Sequence, residues 1–547
     1  MRASLFFSSS VLFVLAPACF TPQLADHPLP PAMADLRAAF EQMPAPADAR
    51  IRVLDDNIDA WIARMNVLES AQRTIDVQYF IVEPDAFGLT LLGLLAEKAR
   101  AGVKVRLMVD ARGSAGIIRG GQRFLLQEVQ RAGADVRVYN PILFQISETI
   151  ARGDLRAVAA SNHDKMIIVD GRLTVAGGRN ISRDYLSDPN DQHNAFIDMD
   201  LLYEGESAAK VMTEAFAAEF VAARTTPLMV EASGDGRTGL ALTVEAMRAW
   251  LDDAPFSVEE LAAFDALEPT ARDAQRDAIA LIVEGQITAA QRSVPADEVR
   301  ETLRQVTRLL AREARLRGAK SRAVPGLPDD AVPMRLLDTH SSEGARAKNT
   351  VNDALLAAVQ TAQKELIIQS PYFVLTARGL RAIEQAGARG VAVTILTNSP
   401  ASSDSPPTQA AFLRQWPELL ARVPNARLFV VAEGRLMHAK VGLVDDQLAF
   451  VGSYNLDPLS AGVNGEVVGA LWSTRVARQL GGLIRDRIAA GHPGVVEYRI
   501  ERGADGLPST KDGKPVVVYG PDDHCTPEQL AAARRMEPML ELLAPLL

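Results

Sequence analysis

The feature that most constrains the fold of this 547-residue chain is an internal repeat. The pattern histidine, any residue, lysine, four residues, aspartate begins at His163 and again at His438, 275 positions later. Asparagines follow both copies at one distance, because Asn180 and Asn455 are also 275 positions apart. Two segments in the same register indicate duplicated structure, so we expect two similar halves.

The residues before each motif predict the same strand–helix–strand unit. Apolar runs end in Tyr-Phe pairs at 79–80 and 372–373, which match in the repeat, and a helical pattern follows each run. Gly102 and Gly390 stand at the helix ends, directly before β-branched residues. This order is typical of βαβ units with parallel strands. We therefore expect an α/β fold of two pseudo-symmetric halves, with mixed, largely parallel sheets flanked by helices.

The composition changes between the halves. Residues 231–330 are rich in alanine and charged residues, which predicts a helical insertion. Arginines at four-residue spacing follow one face of it, where they either face solvent or contact anionic lipid headgroups: Arg300, Arg304, Arg308 and Arg312. The expected organisation is a signal segment at 1–19, a first half at 35–230, the insertion, and a second half with a C-terminal tail at 331–547.

The N-terminal residues predict export. Arg2 precedes an apolar run at 5–15, and the small residues at 16–18 fit a cleavage site. The same residues resemble a bacterial lipoprotein signal, in which Cys19 is the lipidated residue; the alternatives are plain secretion and an uncleaved anchor. The run is shorter than the roughly 20 residues of a spanning helix. The protein is therefore expected to be periplasmic or membrane-anchored, with only peripheral or lipid-mediated contact to the membrane surface.

The overall charge and the cysteine content narrow the function classes. The 58 basic and 68 acidic side chains give a net charge of −10, which disfavours a nucleic-acid partner. The two cysteines, Cys19 and Cys525, cannot build a disulfide framework or a zinc site. Both motifs lie in one chain, so a monomer suffices for one active site, and the oligomeric state stays open.

Each motif carries groups suited to a phosphodiester. Side chains two apart on a strand point to one face, so His163 with Lys165, and His438 with Lys440, are predicted to contact one phosphate. Imidazole, with a pKa of about 6.5, can act as nucleophile or as general acid. Two ammonium groups can bind the nonbridging oxygens. No metal ion and no other cofactor is therefore expected.

Residues around the motifs complete the predicted site. Asp170 and Asp445 end the motifs, at an expected turn, and belong to the predicted catalytic set. Small and polar residues after the motifs are expected to bind the substrate: Gly178, Asn180, Ser453 and Asn455. A carboxylate on the second nitrogen of each histidine fixes its tautomer. The candidates are Asp198 and Glu466, with Asp200 as the alternative to Asp198 because both aspartates lie on one strand face.

These residues resemble the phospholipase D superfamily, whose two HKD motifs have this form. The similarity is closer to the bacterial cardiolipin synthase branch, especially its C-type members. It extends from Arg52 to the end, except for the insertion, and it is carried by the motifs and by five further segments: residues 75–79, 177–181, 370–374, 396–399 and 451–458.

The resemblance implies one active site shared by both halves and a covalent phosphatidyl-histidine intermediate. It assigns His163 as the nucleophile with Glu466, and His438 as the acid and base with Asp198. The expected function is a phosphatidyltransferase of the cardiolipin synthase type that acts on phosphatidylglycerol or a similar phospholipid. The alternatives are an exported phospholipase D that uses water, a nuclease of the same fold, and a catalytically idle lipid-binding protein.

Overall fold

The structure is a computed structural model. It describes residues 28–119, 122–152, 159–187, 195–222, 224–228, 240–241, 244, 248, 326–340, 349–489, 494–538 and 540. The predicted signal segment, Cys19 and the arginines at 300–312 lie outside the described residues, as does most of the predicted insertion.

The first half contains eight described strands and eight described helices. The strands are β1 (Pro46–Leu54), β2 (Thr74–Tyr79), β3 (Lys104–Asp110), β4 (Asp135–Tyr139), β5 (Lys165–Val169), β6 (Leu173–Gly177), β7 (Asp200–Glu204) and β8 (Thr225–Pro227). The helices are α1 (Leu36–Glu41), α2 (Asn57–Ser70), α3 (Ala86–Arg100), α4 (Ala115–Arg119), α5 (Arg123–Arg131), α6 (Ile142–Arg152), α7 (Arg183–Leu186) and α8 (Glu206–Phe220).

The second half repeats this order and adds a tail. Its described strands are β9 (Ala331–Thr339), β10 (Glu365–Gln369), β11 (Ala392–Asn398), β12 (Ala426–Val431), β13 (Val441–Val444), β14 (Leu448–Gly452), β15 (Glu466–Trp472), β16 (Val495–Ile500), β17 (Thr510–Lys511), β18 (Lys514–Pro515) and β19 (Val517–Tyr519). Its described helices are α9 (Thr350–Thr361), α10 (Ala377–Ala388), α11 (Pro406–Arg422), α12 (Pro458–Gly462), α13 (Thr474–Ile488), α14 (Pro527–Arg534) and a 3₁₀ turn (Pro521–Asp523).

The strand order is the same in both directions from the antiparallel β1–β9 pair. Outward from this pair, the first half runs β1-β7-β6-β5-β2-β3-β4-β8 and the second runs β9-β15-β14-β13-β10-β11-β12-β16. Among the described strands, the parallel pairs are those of β2–β3–β4 and β10–β11–β12, whose connections contain helices. The predicted α/β fold of two pseudo-symmetric halves is confirmed, with the parallel strands confined to the βαβ units.

The strand register corrects one detail of the sequence repeat. Ile75 and Leu366 each pair with the residue that precedes the motif aspartate of their own half, so they are equivalent positions. They differ by 291 positions, whereas the Tyr-Phe pairs at 79–80 and 372–373 differ by 293. The match of the Tyr-Phe pairs is therefore wrong by two residues, because residue type alone does not fix register.

An apolar core shared by the two halves holds them together. Each half also has an outer core between its sheet and its helices, and the outer core of the second half includes Leu36 and Phe40 of α1. The shared core takes side chains from both halves, including Met108, Ile168, Leu201 and Phe216 from the first and Leu396, Val441, Leu443 and Leu471 from the second. Burial of apolar surface against the partner half is the main favourable contribution to the association of the halves. Within the described residues, no helix combines the length and apolarity that a membrane span requires.

A buried ion cluster connects β7 to the elements around it. Asp200 Oδ2 lies 2.9 Å from Arg64 Nη2 and 3.1 Å from Arg179 Nη1, and all three side chains are buried. Arg179 Nη1 also donates to the Leu54 carbonyl at 2.8 Å, which ties the end of β1 to this cluster. Asp200 therefore compensates two buried guanidinium groups.

The Asp200→Ala variant should be strongly destabilised. It leaves two buried cations without their carboxylate, a change that costs about 3–5 kcal/mol of unfolding free energy. Urea unfolding measures this loss. The matched control is Asp135→Ala, which breaks the exposed ion pair with Arg137 and should cost about 0–1 kcal/mol. Equal unfolding free energies for the two variants would contradict a structural role for Asp200.

Candidate active site

Short backbone bridges between the halves position the two histidines. The residue before each histidine forms a parallel bridge with a segment of the other half. The His163 amide then donates to the Gly465 carbonyl at 2.9 Å, and the His438 amide donates to the Ile197 carbonyl at 2.7 Å. The residues after Gly465 and Ile197 are Glu466 and Asp198. Each histidine consequently lies beside a carboxylate of the opposite half.

Each imidazole contacts that carboxylate through Nδ1. His163 Nδ1 lies 3.1 Å from Glu466 Oε2, and His438 Nδ1 lies 2.7 Å from Asp198 Oδ2. Both carboxylates are fully buried. Such a contact holds a proton on Nδ1 and leaves the Nε2 lone pair for chemistry. Of the two predicted candidates for the partner of His438, Asp198 makes the contact and Asp200 does not.

Hydroxyl groups hold the Glu466 carboxylate in place. Ser453 Oγ donates to Oε2 at 2.6 Å, and Ser460 Oγ donates to Oε1 at 2.6 Å. Burial alone would raise the pKa of Glu466, but the contact with His163, the positive charge of Lys165 and the Ser453 hydroxyl hold that pKa below its ordinary value. Glu466 is therefore ionised at neutral pH.

A glycine makes room for the Asp198 carboxylate. A Cβ atom on Gly178 would lie 2.1 Å from Asp198 Oδ1. The Met199 amide donates to this oxygen at 2.7 Å. Burial would raise the pKa of Asp198, but His438 and then Lys440 hold it well below its ordinary value. Asp198 is therefore also ionised at neutral pH.

Two buried lysines lie beside the histidines. Lys440 Nζ is 2.8 Å from His438 Nδ1 and 3.0 Å from His438 Nε2, and it donates to the His438 carbonyl at 2.6 Å. Lys165 Nζ donates to the His163 carbonyl. Burial lowers the pKa of Lys165 to about 8 and that of Lys440 to about 7. The two ammonium groups are therefore poorly solvated, which favours an incoming anion as their partner.

The imidazoles are neutral in the free site. Burial lowers the pKa of His163 to about 4, and the positive charge of Lys165 adds to this effect against the opposing Glu466. Burial lowers the pKa of His438 to about 3, with Lys440 as the next cause. Neutral Nε2 atoms can attack phosphorus, whereas proton donation requires that one histidine first becomes charged.

The four residues predicted to bind substrate have different surroundings. Gly178 and Ser453 support the two carboxylates, as described above. Asn180 Oδ1 accepts from the Ile81 amide at 3.1 Å. Asn455 is buried, and its Oδ1 has no hydrogen-bond partner within the described part of the chain. Substrate contacts by the two asparagines stay a prediction.

The aspartates that end the motifs are not brought to this centre. Lys165 is the first residue of β5, and Asp170 directly follows the last. Five steps along the strand, at about 3.3 Å each, therefore separate Asp170 from Lys165. Its carboxylate accepts backbone amides of residues 72, 73 and 74 at 2.7–2.9 Å, and these bonds hold its pKa below the ordinary value although burial opposes them. Asp445 accepts the amides of residues 363, 364 and 365 in the same way. Both carboxylates close the turn before a neighbouring strand.

The aromatic rings of Phe80 and Tyr185, which lie against the histidines, were not predicted. The Phe80 ring packs edge-on against His163 with centroids 4.9 Å apart. On the other side, Tyr185 Oη lies 3.4 Å from His438 Nε2, and the Tyr372 ring lies 6.4 Å from the same imidazole. Phe80 directly follows the apolar run of β2, which is a usable sequence signal. No sequence signal points to Tyr185, because its contact with His438 joins residues 253 positions apart.

The motifs differ at the residue between histidine and lysine. Asp164 is buried, whereas the equivalent residue of the second motif is Ala439. Gln78 Nε2 donates to Asp164 Oδ2 at 2.9 Å. Burial, with Asp338 as the next cause, raises the pKa of Asp164 well above its ordinary value. The first motif therefore carries a buried carboxyl group where the second is apolar.

A known protein family matches the chain around both histidines. The family described as "Cardiolipin synthase, PLD-like domain" matches residues 65–218 and 355–485, which make up just over half of the chain and include both motifs. The fold and the site define an enzyme of the phospholipase D superfamily, in the class of phosphatidyltransferases and phosphodiesterases. The chain belongs to the cardiolipin synthase, PLD-like domain family.

Individual relatives agree with this assignment. Cardiolipin synthase C of Escherichia coli (strain K12) is 26% identical over 443 residues, which cover 77% of this chain and 81% of that protein. A cardiolipin synthase of Geobacillus kaustophilus is 24% identical over 466 residues, 85% of this chain and 71% of that protein. The crystal structure of phosphatidylserine synthase from Haemophilus influenzae Rd KW20 has the same fold, with a TM-score of 0.55 at 14% identity over 91% of this chain and 93% of that one. The predicted resemblance is confirmed.

The Gly178→Ala variant should lose activity. The new methyl group displaces the Asp198 carboxylate from His438, and a misplacement of about 1 Å costs about 10²-fold in rate. Turnover of a phosphodiester lipid measures the effect. The control is Gly482→Ala in α13, where a Cβ meets nothing within 4 Å and activity should persist. Parental activity in Gly178→Ala would show that the Asp198 position is not required.

Proposed function

We propose that this chain is a phosphatidyltransferase of the cardiolipin synthase type, which acts on phospholipid phosphodiesters through a covalent phosphatidyl-histidine intermediate. The observation that carries the proposal is the pair of His–carboxylate contacts formed across the halves, at 3.1 and 2.7 Å, with two buried lysines beside them. A nucleophile, a proton donor and cationic groups for the phosphate are the parts that displacement at phosphorus requires.

In the first step, His163 Nε2 attacks the phosphorus of the donor lipid. A nitrogen–phosphorus bond forms, and the bond to the headgroup oxygen breaks. The leaving oxygen takes a proton from Nε2 of charged His438 and departs as an alcohol. Lys165 and Lys440 bind the nonbridging oxygens, while Glu466 stabilises the positive charge that develops on His163.

In the second step, neutral His438 removes a proton from an acceptor hydroxyl. The acceptor oxygen attacks phosphorus, and the nitrogen–phosphorus bond breaks, which restores neutral His163. The proton stays on His438 and serves the next donor. With a second phosphatidylglycerol as acceptor, the products are cardiolipin and glycerol.

Substrate binding itself supplies the charged acid. After burial, Lys440 is the largest cause of the low pKa of His438. A bound phosphodiester carries a negative charge that offsets Lys440, so it raises the pKa of His438 and favours the imidazolium. Asp198, 2.7 Å from Nδ1, stabilises the same charge. No metal ion enters these steps, and metal independence stays a prediction of this mechanism.

We further propose that the enzyme is exported and works at a membrane surface. The signal-like residues 1–19, with cleavage or lipidation at Cys19, support export. The domain boundaries expected from the sequence belong to the same proposal: halves at 35–230 and 331–547, with an insertion between them.

The products formed from phosphatidylglycerol test the proposed function. In vesicles of this lipid, the enzyme should form cardiolipin and glycerol, because the acceptor hydroxyl is abundant at the lipid surface. Mass spectrometry of the lipid extract and an assay of free glycerol measure both products, with His163→Ala as the inactive control. Phosphatidic acid and glycerol as nearly the sole products would instead make the chain a hydrolase.

The roles of the two histidines can be separated with an activated donor. A p-nitrophenyl ester of phosphatidate releases its leaving group without a proton donor, so His438→Ala should still form the adduct on His163. This variant lacks the base for the second step and should accumulate acid-labile phosphatidyl-histidine, detectable by mass spectrometry of the intact protein. His163→Ala should form no adduct. An adduct on His438 in the His163→Ala protein would reverse the assignment.

A further inference from the structure

Helix α6 buries polar side chains and exposes apolar ones, the reverse of an ordinary surface helix. Gln145 and Glu148 lie buried on its inner face. Gln145 Nε2 donates to the Asn140 carbonyl at 2.7 Å, and Glu148 Oε1 accepts from the buried Arg224 at 2.8 Å. Polar contacts therefore fix the inner face of this helix to the end of β4 and to the turn after α8.

The outer face of α6 is an isoleucine ridge. Ile142, Ile146 and Ile150 are 41%, 50% and 79% exposed. Their four-residue spacing places them on one side of the helix. They account for three of the seven large hydrophobic side chains that are exposed in the described part of the chain. The other described exposed residues of α6, Ser147 and Ala151, are uncharged, so this face presents apolar surface without an acidic group.

The isoleucine ridge borders the candidate active site. Helix α6 begins directly after β4, at the carboxyl ends of the parallel strands. Phe80, which follows β2 at the same end, contacts His163. Asn140 Nδ2, between β4 and α6, donates at 2.7 Å to the carbonyl of Ala160, three residues before His163. Helix α6 and His163 therefore lie at the same end of the sheet, the end formed by the carboxyl ends of its parallel strands.

We propose that the isoleucine ridge docks this enzyme on the surface of a phospholipid bilayer, with the active site turned toward the lipid. This inference rests on the proposed function, because the bilayer on which the enzyme docks also supplies its phospholipid substrate. Because the one acidic side chain of α6, Glu148, is turned inward and paired, the ridge places no negative charge against the headgroups.

A protein partner fits the ridge less well than a bilayer. A stable protein interface uses about 20–30 residues a side, whereas α6 offers one face of 11 residues. Interfacial helices, in contrast, insert a single apolar face into the boundary between headgroups and acyl chains. The area and the shape of the ridge match that mode of binding.

The test uses the full-length chain with Ile146→Asp and Ile150→Asp combined. Two carboxylates on the ridge oppose insertion next to anionic headgroups, so binding to the vesicles should fall about tenfold or more. Cosedimentation with vesicles of phosphatidylcholine and phosphatidylglycerol in equal parts measures the partition. The matched control combines Leu507→Asp with Val518→Asp, at positions 64% and 52% exposed on the C-terminal tail, and should bind like the parent. All three proteins carry Cys19→Ala, so that no lipid anchor at this residue holds them on the vesicles.

Parental vesicle binding by the Ile146→Asp/Ile150→Asp protein would overturn the docking proposal. A fall of its unfolding temperature by more than about 2 °C, with binding retained, would overturn it in favour of a ridge covered by protein.

Turnover separates docking from catalysis. With dispersed short-chain lipid this variant should match the parent, and only vesicle turnover should fall. Loss of turnover on dispersed lipid as well would assign the effect to the active site and overturn docking. If the parent itself transferred no phosphatidyl group, the proposed function would fail while the binding comparison still decided the docking.

Discussion

The hydrogen bonds that join each histidine to a carboxylate of the other half are the constraint on which the structure depends. Neither half contains a complete pair, because His163 contacts Glu466 and His438 contacts Asp198. All four groups are buried, and a buried polar group without its partner costs free energy. The shared core and the β1–β9 contact hold the halves in the arrangement that satisfies these groups. The contact between the halves therefore also assembles the site.

The candidate active site could be predicted from the sequence in part. The two histidines and two lysines could be found because their spacing occurs twice in one register. The choice between Asp198 and Asp200 could not be made from alternation, which places both on one face. It is decided by the buried Arg64 and Arg179, which contact Asp200, and these contacts come from distant parts of the chain.

Other features depended on geometry that no local pattern encodes. Asp170 and Asp445 occur in each motif, but their carboxylates accept backbone amides at the far end of the strand. The Tyr-Phe pairs suggested a register that strand pairing corrects by two residues. The outward direction of the isoleucines in α6 follows from the buried contacts of Glu148 and Gln145, so a pattern of apolar residues alone would have assigned that face to a core.

The two motifs are alike in register but unequal in surroundings, and this has an evolutionary consequence. Glu466 is held by two serine hydroxyls, whereas Asp198 is accommodated by a glycine. In a homodimer of identical halves, every substitution would appear in both copies at once. Fusion of the copies into one chain removes that restriction, so each histidine can acquire its own environment. Gene duplication within a single chain thereby permits a division of labour that an exact two-fold axis forbids.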